Sequence, residues 1–322
     1  MAQTRPATGS AMSSLYALPV PQDANFDVQG SSFFRHHNQL PSPDEVRSQA
    51  RTQYLTGTKW GKKGGDVSTG YNARPSPAVF ESMNLFVKWG GEMRVAEGQT
   101  LYMIRQSLQN AVPVPEIYGW RTDGNEVFLY MEAIRGRTME QAWDELGEDD
   151  RSFICRELRR SFDAVRQLKQ VPTDTFIGSV ARGPFYERAI GIQYMAEAGP
   201  FISVKEFHDW FTSLYLRPMP PQDRDSVPDP FRQHLPDNSE IVFTHGDLHR
   251  SNIMISSSNP PRVVAIIDWE QAGWLPAYWE DRKAHFTAFY LGEWSEKYIP
   301  MILDQHTSTW DPWCYYTSAM GP

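Results

Sequence analysis

The chain has 322 residues, with 31 Lys plus Arg against 39 Asp plus Glu and a formal net charge of −8. At 40% hydrophobic and 22% charged residues it is not a disordered chain, and an acidic balance without long Lys/Arg runs excludes the electrostatic footprint of a nucleic-acid binder. The length suits about two lobes at roughly 150 residues per domain. The 2 cysteines, Cys155 and Cys314, cannot build a disulfide framework or a cysteine zinc site. No run approaches the roughly 20 apolar residues of a membrane span. The first residues lack a charged-then-apolar leader, so a cytoplasmic setting is expected.

In chain order, residues 1–40 are rich in Ser, Pro, Gln and Asn and are expected to form a flexible or loosely docked arm. Pro41–Leu55 reads as a helix, with proline and serine at its start and Val46 and Ala50 on one face. A Gly/Lys-rich loop follows, and then a strand over Met83–Val87 ending at Lys88. From Met93 the residues Ala96, Thr100, Met103, Ile104, Ser107 and Leu108 repeat at helical spacing. Asn110, Pro113 and Pro115 stop that helix. Glu116–Trp120 and Val127–Met131 read as strands joined by the turn Asp123-Gly124-Asn125. After Met131 the texture becomes helical, over Glu140–Trp143, Arg151–Gln170 and Val204–Leu216. The Pro-rich stretch Arg217–Pro236 is expected as a surface loop. Ile241–Thr244 and Val263–Ile267 read as short strands, and Trp279–Leu291 as a further helix.

The loop between those last two strands carries the chemistry: His245-Gly246-Asp247-Leu248-His249-Arg250-Ser251-Asn252, with Asp268-Trp269-Glu270 closing the second strand. Asp247, Asn252 and Asp268 at this spacing are what Mg²⁺-dependent phosphoryl transfer needs. One carboxylate accepts or orients the proton of an attacking hydroxyl. An amide oxygen and a second carboxylate suit Mg²⁺, which prefers hard oxygen ligands. The same chemistry demands a cation for the nucleotide phosphates and an acid to hold it. Lys88 at a strand end and Glu97 on the following helix are the candidates.

These residues resemble the aminoglycoside phosphotransferase and choline kinase-like family, in particular its fungal phosphotransferase branch. The stretches that carry the resemblance are NLFVKWG, AEGQTLYMIRQSL, VPVPEIYGW, VFLYMEAIRGRTMEQAW, FTHGDLHRSNIMIS and AIIDWEQAGWLPAYWE, in order across residues 84–280. The resemblance implies an α+β, protein-kinase-like fold of two lobes. After the arm 1–40, residues 41–131 would form a small β-sheet lobe with one main helix. Residues 132–322 would form a larger, mostly helical catalytic lobe. The implied activity is ATP- and Mg²⁺-dependent transfer of the γ-phosphate to a hydroxyl of a small molecule. Asp247 would be the base, Asn252 and Asp268 the metal ligands, and Lys88, anchored by Glu97, the contact to the α/β-phosphates. Met131 would precede a hinge whose backbone at Glu132 and Ile134 meets adenine, and His245 would support the loop.

Two departures stand out. No clear glycine-rich phosphate loop precedes Lys88, Gly64-Gly65 being the nearest candidate, and Arg250 stands where the family usually carries Pro. His249, Arg250, Glu270, Trp274 and Glu280 are candidate substrate contacts. The acids among them, with Asp281, would suit an amine acceptor. A protein kinase is disfavoured because Asp268-Trp269-Glu270 runs on without an Ala-Pro-Glu anchor. A dimetal phosphoesterase built from Asp247 and His249 lacks the further His and Asn ligands. The remaining alternative is a repurposed, non-catalytic nucleotide- or ligand-binding protein on the same scaffold.

Overall fold

A computed structural model describes residues 15–58, 75–190 and 198–320. The candidate phosphate loop at Gly64-Gly65 lies outside the described residues. Strand β1 (Leu15–Tyr16) and strand β2 (Phe26–Asp27) precede helix α1 (Pro43–Leu55). Then come β3 (Ala78–Phe80), β4 (Leu85–Gly90), helix α2 (Val95–Leu108), β5 (Ile117–Asp123) and β6 (Glu126–Glu132). The five strands from β2 to β6 make one antiparallel sheet in the order β2-β5-β6-β4-β3.

Local chemistry accounts for these elements. Helix α1 opens with Pro43 and a capping box: Ser42 Oγ accepts the Glu45 N–H, and Glu45 returns a carboxylate oxygen to the Ser42 N–H. Its Val46 and Ala50 pack with Leu85, Val87, Phe128 and Tyr130 on one side of the sheet. Helix α2 covers the other side, where Leu101, Met103 and Ile104 meet Ile117, Trp120 and Leu129. A Cβ at position 98 would stand 3.1 Å from the Trp120 ring and 3.2 Å from Leu129, so Gly98 lets the helix lie close on the sheet.

The rest of the described chain is mostly helical. It holds β7 (Arg137–Thr138), α3 (Met139–Ala142), α4 (Glu148–Arg166), β8 (Leu168–Lys169), α5 (Val204–Ser213) and α6 (Pro221–Arg224). It continues with β9 (Ile241–Thr244), β10 (Ile253–Ile255), β11 (Val263–Ile266), β12 (Gly273–Pro276) and α7 (Trp279–Phe286). A π-helical turn over Trp294–Tyr298 leads into α8 (Ile299–Ile302) and, later, α9 (Trp310–Ala319). The architecture is therefore α+β: a sheet-based N-terminal part and a helix-rich remainder. Two small sheets, β11-β10-β7 and β12-β9, hold the 245–252 loop between them. Among the described residues no helix is long and apolar enough to cross a membrane.

Three expectations need correction. The part of the arm described, residues 15–40, is docked. β1 pairs in parallel with β8 and β2 pairs antiparallel with β5, while the carbonyls of Pro21 and Asp23 accept from Gln99 Nε2 (2.7 Å) and Trp120 Nε1 (2.8 Å). The arm finds its hydrogen bonds on distant elements, which a polar local texture does not reveal. Helix α4 stops at Arg166 because Leu168 and Lys169 join β1. Helix α7 stops at Phe286, and Phe289, Tyr290 and Leu291 lie exposed beyond it, Leu291 with a φ of 56°.

Candidate active site

The alternation of β4 divides its side chains: Leu85 and Val87 enter the core against α1, while Phe86 and Lys88 face a cavity of about 380 Å³. There Lys88 Nζ lies 2.7 Å from Glu97 Oε1 on α2 and 2.8 Å from Asp268 Oδ1 beyond β11. Ligand oxygens of Glu97, Asp268 and Glu270 fall within 4.8 Å of one another. Burial pulls the Lys88 ammonium towards its neutral form, but Asp268 and Glu97 outweigh it and hold the group protonated above its ordinary range. Burial also pushes the Glu97 carboxyl up, against the pull of Lys88, and Asp268 and Glu270 add to the rise.

The 245–252 loop is held by groups that leave it little freedom. The Glu280 carboxylate on α7 accepts the N–H of His245 at 2.6 Å and that of Gly246 at 3.2 Å. Burial raises the Glu280 pKa, opposed by Arg166 and by the two amides it accepts. His245 Nδ1 accepts the Asp247 N–H (3.0 Å) and its Nε2 meets the Ile267 carbonyl (3.1 Å), so these partners assign a neutral ring protonated on Nε2. Gly246 has a φ of +77°, and a Cβ there would come within 2.6 Å of the Gln271 carbonyl. Asn252 Nδ2 donates to the Asp247 carbonyl and to Asp247 Oδ2, both at 2.9 Å, which turns the amide oxygen away from Asp247.

Asp268 sits at φ +67°, in the left-handed region that non-glycine residues seldom occupy. The conformation is fixed from its flanks, where Trp269 donates from Nε1 to the Ile266 carbonyl (2.9 Å) and Ile267 N–H donates to the Asn252 carbonyl (2.9 Å). Strain of this kind is concentrated at functional sites.

Lys88, Glu97 and Asp268 cluster at one place in the cavity, its polar end, and Phe86, Leu101, Met131, Met254 and Ile267 supply apolar lining. Glu132, Ala133 and Ile134 line it along the chain segment that leaves β6. The Glu132 and Ala133 amides are used by the carbonyls of Glu116 and Asn84, at 2.8 and 3.0 Å. Among the described residues the Ile134 amide has no such acceptor. Six of the expected site residues, Lys88, Glu97, Met131, Glu132, Ile134 and Asp268, thus share one cavity. Asp247 and Asn252 are not in its lining; they bond directly to each other, and Ser251, next to Asn252 in the chain, is part of the lining.

The expected substrate contacts fare differently. Glu280 is buried under the loop and uses its oxygens on backbone amides, so it cannot meet an acceptor. Trp274 is buried in β12 against Phe243, where its burial anchors the core. Asp281 is fully buried on Arg282. Arg250 packs its guanidinium 4.4 Å from the Trp143 ring centre, and His249 Nδ1 accepts from the Ser251 N–H at 3.2 Å, so both shape the turn that presents Asn252. Glu270 is buried and pairs with Arg188 Nη2 at 2.6 Å. Sequence reasoning missed Arg188, and also the buried pair of Lys283 and Glu187, whose second oxygen accepts from Trp279 Nε1 at 3.1 Å. Nothing in their local spacing marks them, because their partners lie 82 or more residues away or on other elements.

A model of the "Phosphotransferase enzyme family" matches residues 96–311, a span that includes Glu97, the 245–252 loop, Asp268 and Glu280. No curated protein matches the chain by sequence. Among solved structures it is similar to aminoglycoside phosphotransferase APH(4)-Ia, at 14% identity over 74% of this chain and 76% of that one, with a TM-score of 0.44. A thermostable mutant of the same enzyme, in ternary complex with AMP-PNP and hygromycin B, matches at 15% identity, 74% and 76% coverage and TM-score 0.45. The streptomycin–ATP–APH(2")-IIa ternary complex matches at 14%, 74% of each chain and 0.39.

Proposed function

The chain belongs to the phosphotransferase enzyme family, and from that premise we propose that it transfers the γ-phosphoryl group of ATP to a hydroxyl of a small molecule. The observation that carries this reading is the Lys88 ammonium, held between Glu97 and Asp268 at the polar end of the cavity. The apolar lining suits a planar base, with the Ile134 amide available to it. The polar end suits a polyphosphate.

The donor set fits Mg²⁺: a carboxylate on Asp268 and an amide oxygen on Asn252 that is turned away from Asp247 are hard ligands joined through the β10–β11 pairing. Mg²⁺ bound there would neutralise charge on the phosphate oxygens. Asp247 would take up or orient the proton of the acceptor hydroxyl through the carboxylate oxygen that Asn252 leaves unused. Asn252, His245 and Glu280 would fix its position, and Lys88 would hold the phosphates in line.

The acids once expected to face an amine, Glu280 and Asp281, are used inside the protein, and Glu270 is paired with Arg188. The reading therefore names a hydroxyl acceptor without requiring it to be cationic. It is tested by screening hydroxylated metabolites for acceptor-dependent ADP release in Mg-ATP. Asp247→Asn should lower the rate by at least about 10²-fold. Unchanged release in that variant would remove Asp247 from its role, and no release with any acceptor would favour a binding protein on this scaffold.

A further inference from the structure

Helix α7 also contributes to a second cavity, of about 380 Å³, which shares no lining residue with the one at Lys88. Arg282, His285, Ser295, Glu296, Trp310 and Asp311 are among the residues around it. Arg282 is unusual for a cation at such a place, being only 2% exposed. Its guanidinium lies 4.5 Å from the Trp310 ring centre, and Nη2 reaches Asp281 Oδ2 at 2.5 Å. Its Nε and Nη1 have no acceptor among the described residues. A buried donor without an acceptor carries its full desolvation cost, and for a charged group that cost is large.

Asp281 does not offset that charge alone. It also accepts the His306 N–H at 2.8 Å and Gln305 Nε2 at 3.3 Å, and it stands 3.4 Å from His285 Nε2. The deep end of the cavity is therefore short of acceptor oxygens. Its mouth has the opposite character, since Glu296 and Asp311 are both exposed there. Ser295 and Glu296 belong to the π-helical turn, an insertion that recurs at binding sites, and Ser295 Oγ is fixed 2.8 Å from His285 Nδ1.

We propose that this cavity binds a small zwitterion of the free-amino-acid type, its carboxylate on Arg282 and its ammonium at Glu296 and Asp311. A simple anion meets two carboxylates at the mouth, and a simple cation meets the guanidinium inside. Only a molecule carrying both charges satisfies both ends. The site is independent of the phosphotransferase reading, because it shares no residue with the nucleotide cavity.

The test is thermal shift and calorimetry on the full chain with glycine, L-alanine, L-glutamine, L-phenylalanine and L-lysine. Acetate and methylamine serve as single-charge controls for glycine. The expected result is saturable binding of at least one amino acid, undiminished by AMP-PNP, with neither control binding. Arg282→Lys keeps a cation beside Asp281 but removes the two unmet donors, and should weaken binding at least about tenfold. The surface pair Glu296→Gln with Asp311→Asn, away from the core, should reduce the preference for the amino acid over its des-amino counterpart. The proposal is overturned if no amino acid binds, if AMP-PNP displaces it, or if both variants bind like the parent.

Discussion

Glu280 accepts the backbone N–H of His245 at 2.6 Å from 35 residues further along the chain, and the neighbouring Gly246 N–H shares the same carboxylate. One buried acid thus sets the path of the loop that presents Asp247. Glu280→Gln offers a single acceptor oxygen and turns an NH₂ towards an amide donor. It should cost about 1–3 kcal/mol and lower turnover more than ATP affinity, measured by urea unfolding and by ADP-release kinetics. The sign of its pH dependence follows from burial, which raises the folded pKa of Glu280. The group's contribution is complete below its unfolded value near 4.5 and fades as pH rises through the folded value. The penalty for Glu280→Gln should therefore shrink between acid and neutral pH.

Gly246 combines a φ of +77° with a Cβ position only 2.6 Å from the Gln271 carbonyl. Gly246→Ala should destabilise the chain by at least about 1–2 kcal/mol, from the left-handed backbone alone, with a further loss from the clash. Calorimetric melting checks this, and an unchanged melting temperature would mean that the loop has room to move.

Phe26 stacks on Trp120 with ring centres 5.0 Å apart and meets the edge of Tyr102 at 5.9 Å. If residues 15–40 stabilise the sheet as their contacts indicate, Phe26→Ala, at a partly buried ring, should cost about 1–2 kcal/mol in denaturant unfolding. No measurable change would return this segment to the status of a loose arm.

His208 is fully buried between Asp237 Oδ1 at 2.8 Å and the Tyr278 hydroxyl at 2.9 Å. Burial lowers its pKa from 6.5, and the bond to Asp237 opposes the drop only in part. A lowered folded pKa means that its contribution is present above pH 6.5 and is lost as pH falls through the folded value. Stability should fall on acidification by up to about 1.4 kcal/mol per pH unit from this group. His208→Gln should flatten the slope, read from unfolding midpoints between neutral and mildly acidic pH.

What was legible in the sequence was local. The spacing of Thr100, Met103, Ile104 and Leu108 gives α2, the Asp123-Gly124-Asn125 turn gives the β5–β6 hairpin, and one uninterrupted loop carries Asp247 and Asn252. Lys88 and Glu97 meet as the strand-to-helix ion pair expected of them, and Asp268 joins Lys88 from 180 residues further on, a contact the sequence did not announce. What escaped depends on burial. Glu280, Trp274 and Asp281 read as available side chains, yet each is enclosed by elements distant in sequence. The same holds for the arm, where the Leu18 amide and the Pro21 and Asp23 carbonyls bond to side chains of α2 and β5.

Calorimetric titration of the full chain with ATP, with and without Mg²⁺, is the most direct measurement of whether the Lys88 cavity serves a phosphotransferase. One ATP should bind per chain, more tightly with Mg²⁺. Lys88→Met should weaken it by at least about tenfold, on the order of 1.4 kcal/mol, while Asp247→Asn binds nearly as the parent does and fails to turn over. An absence of binding, or equal binding by Lys88→Met, would contradict the assignment of this cavity to the nucleotide.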